Sequence, residues 1–126
     1  MKTLLEMAKA CFPDGFCRTV GERVVIATSV FLPWHDESVC VTVEPTEGGI
    51  VFTDAHSVTD YWEAFDIDPQ AHAQALQEVT DQYRLTFDGK VFSRVFAEEG
   101  EASFRANAET FLQAVKQLAD IRPVSF

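Results

Sequence analysis

The sequence predicts an α+β fold: an antiparallel meander sheet plus a β-hairpin, packed with N-terminal, central and C-terminal helices. Three observations predict it. β-prone stretches between Phe16 and Phe52 are joined by short connections, which make sequential strands antiparallel neighbours. Asp88-Gly89 lies between two apolar runs, the strongest hairpin signal in the chain. Before, between and after these strands, apolar residues recur at the i, i+3, i+4, i+7 spacing of one helix face.

At the start, Leu4, Leu5, Ala8 and Phe12 place a short amphipathic helix over residues 2–11, ended by the turn chemistry of Pro13-Asp14-Gly15. Phe16 to Val20 and Arg23 to Leu32 read as strands around a tight Gly21-Glu22 turn. The second of these is apolar on both alternating sets, Val24, Ile26 and Val30 against Val25, Ala27 and Phe31. That pattern predicts a central strand covered on both faces. Pro33 to Glu37 is a loop. Ser38 to Glu44 alternates cleanly, Val39, Val41 and Val43 lying on one side. A Pro45–Gly49 turn leads to a short strand, Ile50 to Phe52.

Thr53, Asp54 or Ser57 then caps a helix whose stripe is Val58, Tyr61, Trp62 and Phe65. Asp66 to Asp68 breaks it. Pro69 opens the next helix, with Ala75, Leu76, Val79 and Tyr83 on one stripe. Arg84–Phe87 and Lys90–Phe96 form the hairpin, and a two-residue turn at Asp88-Gly89 sets Phe87 opposite Lys90. After an acidic loop at 97–100, a last helix runs from about Glu101 to Asp120 and stops before Pro123. Its stripe is Phe104, Ala108, Phe111, Leu112, Val115, Leu118 and Ala119.

A chain of 126 residues predicts one domain, 1–126, since domains commonly hold about 100–150 residues. No apolar run approaches the roughly 20 residues of a membrane span. The opening MKTLLEMAKACF is interrupted by Glu6 and Lys9, so it reads as a cytoplasmic helix rather than a signal peptide. Cys11, Cys17 and Cys40 are odd in number, lack C-x-x-C spacing and sit among apolar neighbours, which predicts reduced thiols.

Charge is unevenly distributed. From Val24 to Tyr83 there is no Lys or Arg, yet eleven acids occur there: Asp36, Glu37, Glu44, Glu47, Asp54, Asp60, Glu63, Asp66, Asp68, Glu78 and Asp81. The formal charge is -10, and this segment holds the whole excess. Such a balance argues against binding nucleic acid or anionic lipid, whose phosphates need Lys and Arg. It fits a basic protein partner, a metal ion, or solubility alone.

The run T-S-V-F-L-P-W-H-D-E-S-V-C-V-T-V, residues 28–43, resembles the strand-loop-strand of the bacterial and phage family called domain of unknown function 1828. G-G-I-V-F-T-D, residues 48–54, is similar to that family's glycine turn, short strand and Ser/Thr-Asp. F-L-Q-A-V-K-Q-L-A-D-I, residues 111–121, looks like its final helix. The resemblance spans Cys17 to Ile121 and implies a protein of phage or mobile-element type, with no catalytic residues supplied. The family places a glycine soon after the Asp, where this chain has Ala55-His56. The element order also resembles the class I chaperones of type III secretion, and this likeness implies a dimeric adaptor.

In a meander, the loop Trp34-His35-Asp36-Glu37 and the segment Asp54-Ala55-His56 emerge at the same end of the sheet. His35, Asp36, Asp54 and His56 are therefore candidate ligands of a divalent metal, or acid/base groups. The alternative is that Asp54 caps the helix and the others are solvated loop residues. Trp34 is a candidate interface aromatic, with Asp36, Glu37, Asp54, Asp60 and Glu63 as its acidic companions. No nucleophile elbow or glycine-rich phosphate loop is present, and no cofactor is implied. The leading expectation is a non-enzymatic module binding a basic host protein, a nucleic-acid-binding one being one such partner. A metal-assisted enzyme and a homodimeric adaptor are the alternatives.

Overall fold

The computed structural model describes residues 3–32, 38–97 and 100–121. Trp34, His35, Asp36 and Glu37, four of the expected site residues, lie outside them, as do Glu98, Glu99 and Pro123. The fold is α+β. Element order is α1 (Leu4–Cys11), β1 (Phe16–Val20), β2 (Arg23–Phe31), β3 (Ser38–Thr46), β4 (Gly49–Thr53), α2 (Ser57–Ala64), a 3₁₀ turn (Pro69–His72), α3 (Ala73–Tyr83), β5 (Thr86–Phe87), β6 (Phe92–Phe96) and α4 (Glu101–Ala119).

The six strands form one antiparallel sheet in the order β1-β2-β3-β4-β6-β5. The hairpin is thus an extension of the meander, joined through β6 on β4. Their backbones approach closely at Gly49, whose φ is 136° and where a Cβ would collide with the carbonyl oxygen of Phe96. Only glycine fits there.

All the helices that pack on the sheet do so on one face. α4 crosses it with Phe104 and Phe111 against Phe52, their ring centroids 5.4 and 5.7 Å away. α2 brings Trp62 edge-on to Phe92 and donates from Trp62 Nε1 to the Leu118 carbonyl of α4. α1 begins with a capping box between Thr3 and Glu6 and buries Met7 and Ala8, while Arg105 of α4 reaches its Ala10 carbonyl. Fully burying each such Phe side chain contributes roughly 2–3 kcal/mol, so the Phe52 cluster is the energetic centre.

Two local readings need correction. β2 is covered on one face only: Val24, Ile26 and Thr28 are buried, whereas Val25 and Ala27 are half-buried. Its apolar second face meets no described helix. A bulge between Ala27 and Phe31 then shifts register, and Thr28 Oγ1 replaces the missing ladder bonds by donating to Val39 O at 2.7 Å and accepting from Val30 N. In the hairpin, Phe87 pairs with Phe92, not Lys90. The Asp88 carboxylate accepts from Lys90 N and Val91 N, which moves the turn one residue on. The shift sets Phe87 on Phe92, stacked at 4.2 Å.

α3 departs from its expected stripe in degree. Leu76, Val79 and Tyr83 are half-buried, Ala75 is exposed, and no residue of the helix is fully buried. It is tied to α4 by Gln117 Nε2 donating to Tyr83 Oη. Among the described residues, no helix is long and apolar enough to cross a membrane.

Candidate functional site

The end of β4 is built by side chains standing in for backbone. The β3–β4 register ends at Thr53 opposite Thr42, and Cys40 of β3 lies beyond it. There Ser57 bonds the strand backbone: its hydroxyl accepts from Cys40 N at 3.1 Å and donates to Cys40 O at 2.9 Å. Asp54 does the same toward β6. Its backbone N–H donates to Phe92 O, and its Oδ1 accepts from Phe92 N at 2.9 Å. Oδ2 accepts from Val58 N at 3.1 Å, in the first turn of α2. Ala55 and His56 enter the helix with φ of 51° and 67°, a left-handed pair with no glycine.

Asp54 is therefore not part of a binding surface. Its exposure is 0%, and both carboxylate oxygens are occupied by backbone donors. This corrects the expectation that it would meet a partner or a metal: the helix-cap alternative describes what its oxygens do. Burial pushes its carboxyl above the ordinary carboxylate range, against the opposing pull of the backbone N–H groups.

The remaining expected residues are spread along this end of α2. His56 and Asp60 are exposed, and Asp60 edges a cavity of about 90 Å³ shared with Leu32, Ser38 and Ala55. That cavity joins the start of β3 to the 54–60 segment; the loop Trp34–Glu37, expected at the same end of the sheet as Asp54–His56, lies outside the described residues. Among the described residues, no group of three or more His, Cys, Asp and Glu side chains is placed to hold a metal ion. His35 and Asp36 lie outside them.

Glu63 faces a larger feature. Between α2, the 3₁₀ turn, α3 and the hairpin is a cleft of about 500 Å³, within the usual range for ligand sites. Trp62, Ile67, Pro69, Leu76 and Phe87 give it apolar walls, and Thr59, Glu63 and Gln70 its polar edge. Thr59 holds the near side in place by donating from Oγ1 to Lys90 O at 3.0 Å. Trp62 cannot swing away, because Nε1 is bonded to α4. Sequence reasoning placed Trp62 in the core, where it is, and did not foresee that it also walls a cleft. The cleft shows only in the structure, where the apolar stripe of α3 stays half-buried and leaves a gap beside Trp62.

The segment 57–83 exposes six acids, Asp60, Glu63, Asp66, Asp68, Glu78 and Asp81, of which Glu63 lines this cleft. Residues 57–83 carry no Lys or Arg. Bases approach the acidic segment at several points among the described residues, one being Arg94, whose Nη1 donates to the Tyr83 carbonyl of α3. Arg23 approaches Glu44 at 3.9 Å, and the hairpin turn brings Lys90 beside Thr59. Comparison with known proteins yields nothing to set beside this geometry: no family model, curated protein or solved structure matches the chain.

Proposed function

We propose that this chain is a non-enzymatic protein-binding module that receives a basic segment carrying an apolar anchor. The observation that supports it is the cleft of about 500 Å³ with Trp62, Leu76 and Phe87 in its walls and Glu63 at its edge, set in helices that expose only acidic charge. An apolar side chain entering the cleft supplies the desolvated anchor of an interface. Lys and Arg on either side of it meet the carboxylates of α2 and α3, which steer association and set its salt dependence. A partner that itself binds nucleic acid has such a surface, with carboxylates taking the place of phosphates.

Probing a synthetic peptide array at low and high salt tests this reading. Retained peptides are expected to carry Lys or Arg flanking Leu, Phe or Trp, and to be lost as salt rises. Glu63→Lys and the cleft-filling Ala73→Trp are each expected to weaken binding at least about tenfold, or about 1.4 kcal/mol. Peptides that bind both variants as well as the parent, or binding indifferent to salt, would overturn it.

A further inference from the structure

The face of the sheet turned away from the helices carries a second surface. Four large hydrophobic residues stand out as exposed among those described: Phe16 at 67%, Val20 at 48%, Phe31 at 57% and Val95 at 51%. Register places all four on that one face. Phe16 lies opposite Ala27, Val20 opposite Arg23, Phe31 opposite Ser38 and Val95 opposite Val51, while the alternate positions Ile26, Val39 and Phe52 point into the core. These four share one face of the sheet, with half-buried Val25, Ala27 and Val51 on the strands between them, and such an apolar face marks a contact surface.

We propose that a second copy of this chain covers that face, sheet against sheet. Charge selects this occupant. The chain carries -10, yet the ionisable residues in register on the open face are Arg18, Arg23 and Glu44. A copy stacked here meets almost balanced charge and can set its Glu44 against a guanidinium. A copy stacked on the helices would press Asp60, Glu63, Asp66 and Asp68 against their own equivalents. With sheets about 10 Å apart and a helix layer outside each, the sheet-to-sheet pair holds the two acidic layers on the order of 30 Å apart. That is well beyond the Debye length of about 8 Å. Two arginines are too few for a nucleic-acid backbone, and a basic partner finds little acid here.

Area sets the strength. At about 3.3 Å per residue and 4.8 Å between strands, the sheet spans roughly 550 Å² per copy. The pair therefore buries on the order of 1,100 Å², at the low end for specific association, so a reversible dimer is expected. The inference goes beyond the cleft reading and does not depend on it: peptide binding and oligomer mass are separate readouts.

Sedimentation equilibrium of the full chain from about 5 to about 500 µM, the range in which a small interface associates, tests it. The parent chain and the helix-face variant Glu63→Lys are expected to rise from 14.1 kDa toward twice that mass. Val95→Glu and Phe16→Glu are expected to remain monomeric throughout, their circular dichroism unchanged because both positions are exposed. If either variant loses its helical signal, Phe31→Glu takes its place. A parent chain that stays monomeric at the highest concentration overturns the proposal, as do face variants that dimerise like the parent.

Discussion

Asp54 and Asp88 do the same local work in opposite surroundings. Each accepts two backbone N–H groups and so shapes the start of β6: Asp54 takes those of Phe92 and Val58, Asp88 those of Lys90 and Val91. Their acidities move in opposite directions. Backbone donors to an exposed carboxylate hold Asp88 below the ordinary range, whereas burial lifts Asp54 above it despite the same kind of donors. Hydrogen bonds to a carboxylate favour its charge; removal from water opposes it, and at full burial the second effect is larger. Holding the backbone is thus cheap in energy at the surface and costly in the interior, and the two sites differ most when the carboxylate is taken away.

The largest effect is expected from Asp54→Ala. It leaves the N–H groups of Phe92 and Val58 without acceptors in a place water does not reach, at about 1–3 kcal/mol each. A loss of roughly 3–5 kcal/mol in urea unfolding follows, a large share of the 5–15 kcal/mol typical of a small domain. Asp88→Ala removes two acceptors as well, but its donors are at an exposed turn and turn to solvent, so its midpoint shift is expected to be much the smaller. Equal losses would show that the interior site admits water.

The pH dependence should carry opposite signs. Asp54 has a folded pKa above its unfolded one, so the folded state holds that proton more tightly. Its contribution is greatest below the unfolded value and is lost as pH rises through the raised folded value. Asp88 has a lowered folded pKa; its contribution is present above the unfolded value and is lost as pH falls toward the folded one. Unfolding free energies of Asp54→Asn and Asp88→Asn, measured against the parent from about pH 3 upward, separate the two. The parent's advantage over Asp54→Asn is expected to shrink with rising pH, and its advantage over Asp88→Asn to grow. Matching slopes would mean that burial does not govern Asp54.

Much of the fold was legible because its signals are local. Val39, Val41 and Val43 alternate and are buried, and Phe104 to Ala119 recur at helical spacing and pack on Phe52. Element order followed from short connections. Less legible was anything decided between elements. Val25 and Ala27 are as apolar as Val24 and Ile26, and composition alone does not say which face a helix will cover. The register of the hairpin turned on where one carboxylate finds its donors. Asp54 followed by Ala55-His56 reads first as a cap and second as a ligand, since an acid beside a histidine is common to both. The charge of Glu63 is legible in the sequence; the cleft it edges depends on how far α3 stands from α2 and the hairpin, a distance no single segment encodes.

Both aspartates precede a residue with positive φ, Gly89 at 95° and Ala55 at 51°, and this supplies the smallest expected effect. Gly89 has open space around its Cα, so Gly89→Ala meets backbone strain and nothing else, a loss of about 1–2 kcal/mol for the left-handed conformation. Ala55→Gly relieves that same strain. It also frees the unfolded chain by roughly 0.5–1 kcal/mol, so the two terms nearly offset, and a net change within about 1 kcal/mol is expected in thermal unfolding. The asymmetry is the point: alanine at 89 should cost more than glycine at 55 gains or loses. A large loss from Ala55→Gly would mean that the methyl group of Ala55, at the edge of the small cavity with Leu32 and Ser38, does packing that its half-buried position does not reveal.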